Sequence, residues 1–370
     1  MQKIKVNKPV IIFSESMATK MLSKSFRELN AERIAQAEKL KKPDCVPVSL
    51  SLHHPFLASF AGVKIIEYFN DPRVMAEAQL RARRAFFGLK NLYPDYVIVA
   101  EASALGCKIK WQEDDSPLVF PVVEEPEDVH KLEVPDCYHS AYMAVSIAAY
   151  RYMEALVGGE NVDFWYCLGP FDLACLVRGQ SRFFADIKLR PELAHEILKI
   201  TTRTIIEWTK VREEIVGERF ERVGLGDDFP GYLGPKLFKE FALPYIKRVF
   251  EAFPNRIHYW HSDGDTTSVL ELIPEMHVEV FNNFYPDADI SEFKRRIGNR
   301  VCLIGNIHPL KVMLRGTPEQ VEKECKRQIE IAAIDGGYVL STGGEMPRGV
   351  PEENILTMIR SVEKYGRLEV

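Results

Sequence analysis

Arg256-Ile257-His258-Tyr259-Trp260-His261-Ser262-Asp263-Gly264 is a short apolar and aromatic run that ends in polar residues before a glycine. Arg256–His261 reads as a strand, and at its end His261 and Asp263, two positions apart, can aim into one pocket. In a parallel barrel that strand end is where chemistry is built. The reading holds only if the rest of the chain supplies the other strands of a barrel.

Eight strand candidates can be counted: Val46–Leu52, Tyr96–Glu101, Asp163–Leu168, Glu221–Gly226, Arg256–His261, Val278–Asn282, Val301–Gly305 and Gly337–Ser341. Helix-forming segments separate them, among them Val74–Lys90, Phe183–Val216, Pro235–Ala252 and Pro318–Ile334. This alternation predicts an α/β chain of βα units with a parallel sheet, and eight units predict a (β/α)8 TIM barrel. An open dinucleotide-binding sheet would show a Gly-rich first turn, and neither G-x-G-x-x-G nor G-x-x-x-x-G-K-[ST] occurs. Helix starts carry Pro in the first turn, where its missing N–H costs nothing: Asp71-Pro72, Glu125-Pro126, Arg190-Pro191, Thr317-Pro318 and Val350-Pro351. Thr317-Pro318-Glu319-Gln320 reads as a capping box. Residues 102–162 form a long insertion after the second strand, with a helix around Tyr142–Leu156, and residues 1–40 read as N-terminal helices covering the barrel's base. One domain, 1–370, is expected.

The 370 residues are 46% hydrophobic and 27% charged, an ordinary globular balance. A net charge of −5 gives no support for a nucleic-acid or anionic-membrane partner. No apolar stretch approaches the roughly 20 residues of a membrane span. Seven scattered cysteines without a C-x-x-C suit buried thiols in a reducing compartment, so a cytoplasmic location is expected. A small-molecule site is implied, and a homodimer stays open.

Several strand-end sequences resemble one family. Leu168-Gly169-Pro170-Phe171-Asp172-Leu173-Ala174 looks like the Gly-Pro-Phe segment after the third strand in the uroporphyrinogen decarboxylase superfamily. Gly305-Asn306-Ile307-His308-Pro309 with Gly316-Thr317-Pro318-Glu319-Gln320-Val321 resembles its GN(I/L)DP…GTPEEV signature. Gly336–Ser341 followed by Pro351–Ile355 resembles its last strand and helix, and Ala31-Glu32-Arg33 with Pro43–Val48 its entry into the first strand. The resemblance covers nearly the whole chain. It implies one of two chemistries: cofactor-free decarboxylation of tetrapyrrole acetate arms, or zinc-dependent methyl transfer to or from the cobalt of a corrinoid protein. Fold alone does not choose between them.

The decarboxylases carry an Arg-rich segment after the first strand, suited to clamping many carboxylates. Here Ser51-Leu52-His53-His54-Pro55-Phe56 has no arginine, and an octa-acid would be poorly neutralised. Their Asp at the end of strand two is replaced by Glu101. The methyltransferase branch implies zinc ligands at His-x-Cys after the fifth strand and a Cys after the eighth. His261 fills the first place, Asp263 replaces a Cys, and the last Cys falls near Gly344, with Glu345 beside it. A zinc site of His261, Asp263 and Glu345 is therefore expected; the alternative is that the three bind no metal and hydrogen-bond each other or the substrate. Thiolate-rich zinc keeps a thiol nucleophilic, whereas a His/carboxylate site is harder and more Lewis-acidic. That favours activation of a methyl donor's oxygen or nitrogen. A general acid that protonates the departing group is the rival role for the same residues.

Other candidates lie at strand ends. Asp227 and Asp228 follow the fourth strand, Asp228 as a catalytic or ligating acid and Asp227 toward substrate, unless one caps the following turn. His53, His54, Glu101, Tyr166 and Trp260 are expected to line the substrate pocket. His308 stands where the signature has Asp, either facing substrate or ordering its loop. His258 reads as a satisfied core residue and Glu240 as a solvated helix position. His130, His139, His195 and His277 read as structural or surface residues. Together these predict a corrinoid-dependent methyltransferase taking a methyl group from a small methylated donor, an aryl methyl ether by preference. A methylcobamide-to-thiol or folate methyltransferase and a decarboxylase-type lyase are the alternatives.

Overall fold

The computed structural model describes residues 24–283 and 285–368. The predicted N-terminal helices before Lys24 lie outside the described residues. An antiparallel hairpin, β1 (Lys108–Lys110) and β2 (Leu118–Phe120), belongs to the insertion. Six parallel strands follow in sequential order: β3 (Tyr166–Leu168), β4 (Arg222–Gly226), β5 (Ile257–Ser262), β6 (Val280–Asn283), β7 (Cys302–Ile304) and β8 (Tyr338–Val339). Two further staves are held by single bridges, Val48 to Leu340 beyond β8 and Leu92 to Val162 ahead of β3. Between those two staves the seam is a side-chain bond, Tyr93 Oη donating to the carbonyl of Leu52 at 2.7 Å. The fold is an α/β TIM barrel, as the alternation predicts.

The second stave corrects the sequence reading. Tyr96–Glu101, expected as strand two, falls in the helix Val97–Ala104, and the stave is the Leu92 segment just before Pro94. Its propensity for strand is overruled by the tertiary setting, and Pro94 hides the true stave. Phe183–Val216 is two helices, Gln180–Leu189 and Pro191–Val216, broken at the Arg190-Pro191 step. Pro235–Ala252 divides likewise into Pro235–Phe241 and Leu243–Glu251. The capping box is present: Thr317 Oγ1 accepts from Gln320 N at 3.4 Å, and Gln320 Oε1 accepts from Thr317 N at 2.9 Å. Pro351 serves as the N-cap of Glu352–Tyr365 rather than its first residue.

Along β5 the side chains alternate. His258, Trp260 and Ser262 are buried, His258 and Trp260 against the helix layer, and Tyr259 and His261 face the interior. The base of the barrel is closed by the helix Lys24–Ala37, whose Ala37 packs with Val280, Cys302, Ile304 and Val339 in a cluster of their own. Asn30 pins that helix by exchanging two 2.9 Å hydrogen bonds with the backbone of Val48. With the base plugged, the open end is the one at the carboxyl ends of the strands. All seven cysteines are buried free thiols. Among the described residues no helix is long and apolar enough to cross a membrane.

Candidate functional site

The open end holds a cavity of about 410 Å³, walled from staves one to six and from the segment after β8. Its polar centre is Asp228, His261 and Asp263, which can bring one ligand atom each within 4.8 Å of one another. His261 Nε2 lies 3.5 Å from Asp228 Oδ1 and 3.4 Å from Asp263 Oδ1. The ring's other nitrogen meets Asn282 Oδ1 at 3.0 Å. Asn282 donates its amide N–H to the carbonyl of Ile304 at 3.1 Å, which fixes which end of that amide faces the histidine. Nδ1 of His261 therefore carries a hydrogen, and Nε2 is the ring nitrogen turned to the two carboxylates. A histidine held this way, facing two carboxylates, is a donor set that suits a divalent cation such as zinc.

Asp228 is itself held by a crossed pair of loops. Asp172, at the start of helix Pro170–Arg178, accepts from the backbone N–H groups of Asp228 at 2.9 Å and Phe229 at 2.8 Å. In return Asp227 accepts from Asp172 N at 2.6 Å and Phe171 N at 3.4 Å. Burial, then repulsion from Asp227 and Asp228, raises the Asp172 carboxyl well above its usual range, and burial raises Asp227 as well. Asp228 Oδ1 then accepts from Asp263 N at 2.7 Å, so the loops after β4 and β5 are tied through the triad.

Glu345, expected as a ligand, lines the same cavity but stands outside the triad, and Asp228 takes its place. Enclosure, then the carboxylates of Asp95, Asp263 and Asp228, push its carboxyl up to about 8. His53, His54, Glu101 and Tyr166 line the cavity as predicted, though Glu101 does so from a helix. His54 Nε2 meets Ser116 Oγ at 2.8 Å, bringing the hairpin's connection over the pocket. Glu101 is fully buried, and that burial pushes its carboxyl up to about 7.

Three expectations are corrected. Trp260 is not at the pocket: it is fully buried behind the sheet, stacked on Phe281 at 5.1 Å, because strand alternation turns it away from His261. Asp227 is also fully buried and contacts backbone rather than the cavity. His308 caps the turn Pro309–Leu314, its Nδ1 accepting from Leu310 N and Lys311 N at 3.2 Å. His258 is the satisfied core residue expected, meeting the carbonyls of His277 at 2.7 Å and Phe253 at 3.0 Å. Sequence reasoning missed Asp172, Asn282, Lys90 and Asp95. Asn282 alone had a signal, since it ends the run Val278–Asn282 expected as the sixth strand.

The family model for uroporphyrinogen decarboxylase (URO-D) matches residues 29–365. The chain belongs to the uroporphyrinogen decarboxylase family. A uroporphyrinogen decarboxylase of Neisseria meningitidis serogroup C is 25% identical over 292 residues, covering 75% of this chain and 78% of that one. A methylated-thiol–coenzyme M methyltransferase of Methanosarcina mazei is 24% identical over 300 residues, covering 80% of this chain and 77% of that one. Among solved structures, a methyltransferase from Methanosarcina mazei superposes with a TM-score of 0.76 at 20% identity, covering 93% of this chain and 99% of that one. These relatives share the fold and include both chemistries of the family, so the choice between them falls to the site.

Proposed function

We propose that this chain is a corrinoid-dependent methyltransferase. It takes a methyl group from a small methylated donor, an aryl methyl ether by preference, and delivers it to the cobalt of a corrinoid protein. The observation that carries this reading is the Asp228–His261–Asp263 set at the strand ends of an aromatic cavity. The charge of that cavity supports it against the decarboxylase reading. Seven carboxyl side chains line it, against one lysine and one arginine. The arginine, Arg212, is spent on the carbonyls of Phe164 and Tyr166 and on Thr209 Oγ1, at 2.8, 2.7 and 3.0 Å. A substrate bearing eight carboxylates would meet repulsion where it needs cations.

Asp228, His261 and Asp263 would hold the zinc, with Asn282 orienting the imidazole. Bound there, the ion supplies Lewis acidity at the donor's heteroatom. The chain's own residues do the rest. Tyr166, Tyr259 and Phe229 give the donor ring apolar walls that exclude water. Glu345, still protonated near neutral pH, faces the same space and can give its proton to the departing phenolate or amine.

The test is metal analysis of the purified protein beside His261→Ala, Asp228→Asn and Asp263→Asn, together with methylcobalamin formation from cob(I)alamin and a methoxylated benzene. Stoichiometric zinc lost in all three variants, with methylation of cobalt by the parent, is expected. Absence of zinc from the parent defeats the Lewis-acid role. Carbon dioxide release from uroporphyrinogen, with no methyl transfer, defeats the whole reading.

A further inference from the structure

Lys90 stands apart from the other charges of the cavity. It lies at the start of the Leu92 stave and lines the cavity floor with Tyr93 and His53. Its ammonium sits 4.8 Å above the Tyr93 ring, and among the described residues it has no hydrogen bond and no carboxylate within 4.0 Å. The two nearest acids are engaged elsewhere. Asp95 accepts from Tyr68 Oη at 3.0 Å, and Asp163 accepts from Asn91 Nδ2 at 3.1 Å. Burial lowers the lysine below its ordinary value, and the charges of Asp163 and Asp95 oppose that shift only in part. Burial, then repulsion from Lys90, also holds His53 well below its usual value, so that ring is neutral near pH 7 and adds no competing cation. Arg212 spends four of its five N–H hydrogens on the carbonyls of Trp208, Phe164 and Tyr166 and on Thr209 Oγ1, and packs against the rings of Phe164 and Trp208. Among the described residues Lys90 is thus the cavity cation with all of its donor hydrogens to spare, and it comes from a different stave than the acids of the triad.

We propose that the donor taken by this cavity carries a carboxylate on its aromatic ring, which Lys90 receives through its ammonium hydrogens; this rests on reading the cavity as the site of a small methylated donor. The two ends of such a molecule match the two polar places of the cavity. The ether faces Asp228, His261 and Asp263, the carboxylate faces Lys90, and the ring lies among the tyrosines between. A half-buried cation recognises an anion more strongly than a fully exposed lysine would, because part of the cost of shielding it from water is borne by the fold.

The experiment is calorimetric binding of meta-methoxybenzoate, meta-methoxybenzamide and methoxybenzene to the full-length protein, to Lys90→Met and to Lys90→Arg. The benzoate should bind the parent about tenfold or more tighter than the amide, the scale of one charge-assisted hydrogen bond. In Lys90→Met that preference should vanish while amide affinity stays within about twofold, and Lys90→Arg should keep it. Equal affinity for benzoate and amide in the parent, or no binding of any of the three, overturns the proposal. So does a preference that survives in Lys90→Met. Should Lys90→Met fail to fold, Lys90→Gln gives the same comparison. Lys90-dependent binding of the benzoate without methyl transfer to cobalt would overturn the reaction and leave the assignment of Lys90 intact. Transfer from neutral ethers with no benzoate preference would do the reverse.

Discussion

Replacing Gly226 by alanine should displace Tyr166 and open the strand-end layer beneath the triad. A Cβ at Gly226 overlaps Tyr166 Oη and lies 3.0 Å from Cζ and 3.6 Å from Cε1. The clash is therefore almost wholly with one oxygen, which no other residue among those described holds by a hydrogen bond at its present place. Overpacking of this kind costs about 1 to 3 kcal/mol. For 370 residues the unfolding entropy near the midpoint is on the order of 0.8 kcal/mol/K, so Tm should fall by about 1 to 4 °C. Tyr166→Phe removes the oxygen and should change stability little. In the double variant the nearest ring atom is the 3.0 Å contact, which a few tenths of an ångström of ring movement relieves. Most of the loss should then return, giving a coupling of about 1 kcal/mol or more. Thermal and urea unfolding of the four proteins in one buffer measures it. Strict additivity of the two single effects would refute the packing argument.

Asn282→Ala should weaken zinc binding by about 10- to 100-fold, read by chelator competition, since it removes the acceptor that orients His261; unchanged affinity would show that the triad needs no such support. Glu101→Gln should be more stable than the parent at pH 8 but not at pH 4. The buried carboxyl is raised from 4.5 to about 7, so its protonated form favours folding below the unfolded value and that favour is lost as pH rises through this window. The full difference is about 3 kcal/mol, and urea midpoints at the two pH values measure it. His308→Ala should lose about 1 kcal/mol of capping in denaturation and leave donor affinity unchanged, because the imidazole serves a turn outside the cavity lining.

The barrel was legible in the sequence because its staves announce themselves by period and by the prolines and capping boxes between them. The exception is instructive. Val97-Ile98-Val99 carries every local mark of a strand, yet it is a helix, and Leu92 is a stave although Pro94 follows it directly. Local propensity there is weaker than the packing of the helix Val97–Ala104 against Ala141–Val157 and β3. In the site, His261 and Asp263 were legible from one strand, since alternation alone puts both on one side. Trp260 was misassigned by setting aside that same alternation. Asp172 and Lys90 were not legible, because each reaches the site from another stave and nothing along the chain says which loops will meet.

That meeting of loops explains why the triad can be both acidic and ordered. Three carboxylates, Asp172, Asp227 and Asp228, crowd the ends of β3 and β4, where mutual repulsion alone would drive them apart. Backbone N–H groups oppose the repulsion: Asp172 and Asp227 together accept four, each carboxylate taking two from the other's loop. Gly169 makes the crossing feasible, since a Cβ there would overlap the Asp227 carboxylate. The strain of assembling the cluster thus falls on the two buried acids, whose pKa values rise. Asp228 is left with its backbone fixed and its carboxylate turned to His261 and Asp263. Such an arrangement binds a cation with little reorganisation, because the acids that face it are placed by hydrogen bonds formed behind it. Asp172→Asn should therefore weaken zinc binding from outside the ligand set, while Asp172→Glu, which keeps the carboxyl group but lengthens the arm, should recover little of it in the same chelator competition. Full recovery by the glutamate would mean that a carboxyl group near this place suffices, whatever the fit of the crossed loops.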